Sequence, residues 1–138
     1  MNPRYLLDTN IVIYIRRQRP ADVLKRFEGL SPGEATMSVI TFGELAYGVE
    51  KSADRDGNMR VLRELSEFIP VAPLPSPAGE IYGALQASLG RKGEIIGNND
   101  LWIAAHARAA DLILVTNNER EFRRIPELKI ENWAIAAS

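Results

Sequence analysis

The sequence contains no cysteine. Disulfides, thiolate zinc sites and a cysteine nucleophile are therefore excluded, and a reducing compartment fits. Histidine is almost as scarce: His106 is the only one, inside the apolar stretch Leu101-Trp102-Ile103-Ala104-Ala105-His106. There it reads as a satisfied, partly buried helix residue rather than a ligand, and no Ser–His–Asp set is available. No apolar run is long enough to span a bilayer, and the N-terminus lacks the charged region, apolar core and cleavage site of a secretory signal. A cytoplasmic protein with no membrane attachment is expected. Charge of one sign is also missing, since 17 basic and 18 acidic residues leave a net charge of −1. Composition therefore does not advertise nucleic-acid binding. With 138 residues, 46% hydrophobic and 25% charged, the chain is expected to be one globular domain over 1–138. No repeat, low-complexity tract or linker interrupts it.

What is present is a set of acids placed where apolar runs end. Asp8 closes Tyr5-Leu6-Leu7, and Glu44 follows Met37-Ser38-Val39-Ile40-Thr41-Phe42-Gly43. Asp100 opens the segment from Leu101, and the polar tip Thr116-Asn117-Asn118-Glu119 ends Leu112-Ile113-Leu114-Val115. If those runs are strands of one parallel sheet, their C-terminal ends share an edge, the edge at which open α/β sheets bind ligands. Clustered carboxylates repel one another by ~4 kcal/mol per close pair in a protein-like dielectric. A hard divalent cation with a preference for oxygen removes that cost. The pattern points to a metal site for phosphate chemistry.

Strands are expected at Arg4–Asp8, Ala35–Ile40, Val71–Leu74, Asp111–Val115 and Leu128–Ile130, with helical periodicity between them. Pro73, Pro75 and Pro77 confine the third strand, which argues for an edge position or a quick exit from the sheet. Pro20 suits the start of a helix carrying Val23, Leu24 and Phe27. Thr41 stands three residues before Glu44, the spacing of a capping box. Strands alternating with helices predict a three-layer α/β/α sandwich around a mostly parallel sheet.

Each acid alone also fits a duller role. Asp8 and Asp100 suit helix caps, and Glu44 suits the capping box or the positive end of a helix. Taken together, capping gives no reason for the acids to share one edge. Three basic groups are candidates for a rim that holds a phosphate backbone: Arg16 and Arg17 with Arg19, then Arg91 and Lys92, then Arg120 with Arg123 and Arg124. Basic residues also favour the last turn of a helix, which is the competing account. The helices of Ile11, Ile13, Tyr14 and Ile15, and of Leu45, Tyr47 and Val49, carry more apolar residues than one core-facing stripe needs. The surplus is expected to form a groove for a partner's amphipathic segment and a homodimer face.

Other phosphate-handling designs fail on particular residues. No Gly-x-x-x-x-Gly-Lys-Ser/Thr loop is present. Asp8-Thr9-Asn10 has asparagine where an Asp-x-Asp phosphatase needs its second acid, and a receiver domain's adjacent N-terminal acids are absent.

Four segments in order carry a family likeness. They are Leu6-Leu7-Asp8-Thr9-Asn10, Thr41-Phe42-Gly43-Glu44-Leu45-Ala46-Tyr47-Gly48, Asn99-Asp100-Leu101-Trp102-Ile103-Ala104-Ala105-His106-Ala107, and Val115-Thr116-Asn117-Asn118 with Glu121-Phe122. With the Glu131-Asn132-Trp133 tail, the chain resembles PIN-domain ribonucleases, and more narrowly the toxins of VapBC type II toxin–antitoxin systems. The resemblance implies a Mg²⁺- or Mn²⁺-dependent endoribonuclease acting on a structured RNA loop such as a tRNA anticodon stem-loop. It also implies a cognate antitoxin, a toxin homodimer and a toxin–antitoxin hetero-oligomer. Asp8, Glu44 and Asp100 match the family's core acids, expected to be catalytic and to bind the metal. Thr9, Thr116 and Asn118 are expected to support them. Asn118 departs from the pattern, since many PIN domains have Asp there, and Glu119 or Glu121 is a candidate for the fourth acid. The alternative is a catalytically weak or inactive PIN-like scaffold that binds RNA or protein.

Overall fold

The computed structural model describes residues 2–134. Its first half runs β1 (Tyr5–Leu7), α1 (Thr9–Arg17), α2 (Ala21–Glu28), β2 (Ala35–Ser38), α3 (Val39–Glu50), α4 (Arg55–Phe68) and β3 (Val71–Ala72). The second half runs α5 (Ala78–Lys92), α6 (Asn98–Ala109), β4 (Ile113–Val115), α7 (Glu119–Phe122) and β5 (Ile130–Glu131). The strands form one sheet in the order β3-β2-β1-β4-β5, and every pairing is parallel. From the central β1 the chain builds outward through β2 and β3 on one side. It returns to lay β4 and β5 on the other. Such a reversal opens a crevice at the strand C-termini, and here that crevice lies between Asp8, after β1, and Thr116, after β4.

The central strands are buried on both faces, which is why they read as unbroken apolar runs rather than alternating ones. Period-two geometry sorts their side chains between two cores. Leu6 and Leu114 pack with Leu85, Leu89, Leu101, Ile103 and Ala104 of α5 and α6. Tyr5, Leu7 and Val115 face the other way, onto Ile11, Val12 and Ile15 of α1 and Val23 of α2. The expected three layers are present. Leu6 and Leu7 are wholly buried, so truncating either to alanine is expected to cost ~2–5 kcal/mol.

Several boundaries differ from those expected, each for a local reason. The second strand stops at Ser38, because its hydroxyl accepts from Ile40 N–H at 3.1 Å and starts α3 there. Thr41 is therefore inside the first turn of α3, buried, and no Thr41–Glu44 capping box forms. Helix α6 opens at Asn98 behind Gly97, which places Asp100 within its first turn. Helix α5 continues to Lys92 and ends at Gly93, whose φ of 69° is the left-handed conformation glycine tolerates. The edge strand β3 is cut to Val71–Ala72 before Pro73, as a residue without an N–H requires.

Candidate active site

Asp8 leaves the end of β1 and caps α1, its carboxylate accepting from Ile11 N–H at 3.0 Å. It is 5% exposed. Burial pushes its pKa above the ordinary carboxylate value; the Thr116 hydroxyl and the Ile11 N–H pull it back, and the charge of Glu44 raises it further. The cap reading and the cluster reading of Asp8 are thus both satisfied by one side chain.

Glu44 reaches the same place from one turn inside α3. The Thr9 hydroxyl donates to Glu44 Oε1 at 2.7 Å and contacts Thr41 Oγ1 at 3.3 Å. Thr9 follows Asp8 directly, so adjacent residues cap α1 and hold an acid from a different helix. Asp100, in the first turn of α6, has its pKa raised to about 6 by burial, then by the charges of Glu121, Asp8 and Glu44. Asp100 therefore feels the charge of three other carboxylates, each from a different element, at the sheet's C-terminal edge.

The segment after β4 settles how Asn118, Glu119 and Glu121 differ. Thr116 is buried, and its Oγ1 accepts from Asn118 N–H at 2.9 Å. The Asn118 side-chain amide donates to Glu121 Oε2. Glu121 is the acid whose charge acts most on Asp100. Glu119 points elsewhere, to Arg123 at 2.9 Å and Asn132 at 3.1 Å. Asn132 also donates to Asn117 at 3.1 Å, and Asn117 to the Tyr14 hydroxyl at 3.4 Å. These tail contacts were legible in the sequence only as the Glu131-Asn132-Trp133 likeness.

Among the described residues, no three acids or histidines stand close enough together to enclose an ion by themselves. The donor set is nevertheless all oxygen, since the chain has no cysteine and its one histidine is engaged by Ser38 at 2.8 Å. Oxygen donors with room for water suit Mg²⁺ or Mn²⁺, which keep part of their hydration shell, and not zinc.

The basic groups are dispersed. Arg16 and Arg17 end α1 and line a groove with Thr9, Val12, Ile13, Glu44, Leu45 and Leu62, so the groove begins at the acids. Arg91 and Lys92 end α5, one short loop before the helix that carries Asp100. Arg120 sits on α7 beside Glu121. The apolar surplus on α1 and α3 divides as well. Ile11, Ile15 and Val49 are buried, Tyr14 packs against the core, and Tyr47 is 64% exposed. Among the described residues no helix is long and apolar enough to cross a membrane.

Comparison with known proteins gives consistent matches over nearly the whole chain. The PIN domain family model matches residues 5–128. Ribonuclease VapC2 of Haemophilus influenzae is 42% identical over 130 residues, covering 94% of this chain and 98% of that protein. The tRNA(fMet)-specific endonuclease VapC of Shigella flexneri is 40% identical over 131 residues, covering 95% and 98%. Among solved structures, VapBC2 from Rickettsia felis bound to a DNA fragment from its promoter superposes with a TM-score of 0.86. The identity is 40%, and the match covers 96% of this chain and 99% of that one.

Proposed function

The chain belongs to the PIN-domain family, and on that premise we propose that it is a metal-dependent endoribonuclease, the toxin of a toxin–antitoxin pair. The observation that carries the proposal is that Asp8, Glu44 and Glu121 all act by their charge on Asp100 at the switch point of a parallel sheet. A cluster of like charges at the one edge where such folds bind ligands is costly unless a cation or a polyanion's counterion occupies it. Relatives named ribonuclease and tRNA(fMet)-specific endonuclease support RNA as the substrate and a tRNA as its form.

In this reading Asp8 and Asp100 would hold a Mg²⁺ or Mn²⁺ ion, with Glu121 as the fourth acid and Glu44 beside them. When bound, a divalent ion acidifies water and neutralises charge developing on phosphate oxygens. Glu44, with one oxygen fixed by Thr9, uses the other to orient the attacking water and take its proton. The water oxygen bonds to phosphorus, the P–O3′ bond breaks, and the proton ends on the departing 3′-oxygen. The products are a 5′-phosphate and a 3′-hydroxyl. Asp8 is kept rigid by its own cap bond to Ile11, so its carboxylate need not be ordered when the ion arrives. Thr116 and Asn118 orient Asp8 and Glu121 in the way outer partners orient metal ligands. Arg16, Arg17, Arg91, Lys92 and Arg120 supply the backbone contacts of the RNA.

The groove between α1, α3 and α4 fits the amphipathic segment of a cognate antitoxin, its apolar wall being Val12, Ile13, Leu45, Leu62 and Leu65. Occupying it would cover Arg16, Arg17 and one side of Glu44, which blocks RNA by simple exclusion. Val39 and Tyr47, both exposed on α3, are assigned to the homodimer face. The proposal is tested by incubating purified protein with total tRNA and Mg²⁺ and sequencing the new RNA ends. Cleavage at defined sites, abolished by EDTA and by added antitoxin, is expected; intact RNA under all conditions would leave a non-catalytic scaffold.

A further inference from the structure

Three of the four acids have a donor of their own: Ile11 N–H for Asp8, the Thr9 hydroxyl for Glu44 and the Asn118 amide for Glu121. Among the described residues no hydrogen bond reaches the Asp100 carboxylate, whose neighbours are other carboxylates. Gly97 gives α6 no side-chain cap either. The position of Asp100 therefore depends on what holds α6 itself.

Further along that helix, His106 Nδ1 lies 2.8 Å from Ser38 Oγ. Both residues are buried, at 1% and 0% exposure. Ser38 is the last residue of β2 and the cap of α3, and its Oγ accepts the Ile40 N–H at 3.1 Å. A hydroxyl has one proton and two lone pairs. With one lone pair committed to Ile40, Oγ keeps a proton and a second lone pair, so it pairs with Nδ1 in either neutral tautomer of the imidazole. Burial holds the His106 pKa below its ordinary value, in keeping with a neutral ring.

We infer that His106 is a positioning residue of the active site: through Ser38 it locks α6 to the start of α3 and so sets the spacing of Asp100 from Glu44. The inference rests on the nuclease reading above. Apolar contacts between the two helices, such as Ile40 against the α5–α6 core, are not directional and allow sliding. The charge of Glu44 on Asp100 acts to part the two helices that carry them. A buried hydrogen bond is directional and weakens steeply when its geometry is lost, so it opposes that slide where packing alone does not. Ser38 and His106 touch none of the four acids, so their effect on them has to be mechanical.

The test uses His106→Leu, the double variant Ser38→Ala/His106→Leu, and His106→Asn, whose side-chain amide can donate to or accept from Ser38 Oγ in place of Nδ1. Replacing both partners by apolar groups spares the penalty of one orphaned polar atom, so the double variant should recover melting temperature relative to the single one. Mn²⁺ affinity by calorimetry, and kcat and KM on RNA, are then measured on each. The inference predicts that the double variant, though folded, loses about tenfold or more in Mn²⁺ affinity and in kcat, with KM nearly unchanged. His106→Asn should restore most of both. A double variant that melts, binds Mn²⁺ and cuts RNA as wild type does would overturn the inference and leave the nuclease reading standing. So would equal losses in His106→Leu and His106→Asn. Wild-type protein that binds no Mn²⁺ and cuts no RNA would overturn both.

Discussion

Asn118 donates its side-chain amide to Glu121, and Glu121, three residues on, is the acid whose charge acts most on Asp100. In the proposed site, the asparagine at the position where many PIN domains have aspartate orients a carboxylate that arrives from α7, and Glu121 serves as the fourth acid. Glu121→Gln should lower Mn²⁺ affinity by about tenfold, while Glu119→Gln, whose partners are Arg123 and Asn132, should leave it nearly unchanged. Asn118→Asp should not tighten binding, because it sets a second negative charge against Glu121 and removes the donor. Calorimetric titration of the three variants decides; tighter binding by Asn118→Asp would restore position 118 as the fourth-acid site.

The Thr9 hydroxyl is the contact that fixes Glu44. Thr9→Val keeps the shape of the side chain and removes the donor, so the fold should survive with kcat reduced about tenfold or more. Thr9→Ser should retain most of the activity. Equal activity in the valine and serine variants would mean that Glu44 needs no holding.

The layered fold was legible because β1, β2 and β4 are short apolar runs whose ends carry turn or cap residues. Leu6 and Leu7 point to opposite cores for no reason beyond the period of a strand. Element ends were less legible where one hydroxyl decides them. Ser38 and Thr41 are both plausible caps in sequence, and only the buried position of Ser38 against His106 selects between them. The placing of Asp8, Glu44 and Asp100 near one edge followed from the parallel sheet. The choice between Glu119 and Glu121 did not, because it depends on which face of a four-residue helix turns inward. His106 reads in sequence as a satisfied, partly buried helix residue; it is satisfied but fully buried, and its partner, far away in sequence, left no local signal.

Asp100 predicts a pH dependence with a definite sign. Its folded pKa of about 6 lies above the ordinary 3.8, so between those values the folded protein holds a proton that the unfolded chain releases. Stability should fall as pH rises through that window, and the cost is fully present at neutral pH. It is bounded at about 3 kcal/mol and reduced by solvent screening of a half-buried group. Asp100→Asn should therefore melt higher than wild type in EDTA at pH 7, by a margin that vanishes below pH 4. Mg²⁺ should raise the wild-type melting temperature more than the variant's. A variant that melts lower at pH 7 would remove the repulsion argument.

The same proton competes with the metal. Mn²⁺ affinity of the wild type should decline as pH drops below about 6, while Glu119→Gln follows the same curve. Flat Mn²⁺ affinity from pH 5 to pH 8 would place Asp100 outside the metal site.

The two apolar surfaces should separate by mutation. Ile13→Asp, in the groove beside Arg16 and Arg17, should weaken antitoxin capture and leave the homodimer intact. Tyr47→Asp, on the exposed face of α3, should shift sedimentation toward the monomer with capture retained. Pull-down and sedimentation on both variants check the assignment; the reverse pattern would exchange the two faces.

The central claim is that buried Asp8 and its partner acids cut RNA with a divalent ion. The most direct measurement is the cleavage rate of purified Asp8→Asn against wild type on the same tRNA in Mg²⁺, with circular dichroism confirming the fold of both. Asparagine keeps the shape of the side chain and its ability to accept the Ile11 N–H while removing the charge. The expected result is site-specific cleavage by wild type and a folded variant at least about tenfold slower, since even a metal ligand's outer partner is worth about 10–100-fold. A folded Asp8→Asn protein that cleaves at the wild-type rate would contradict the account.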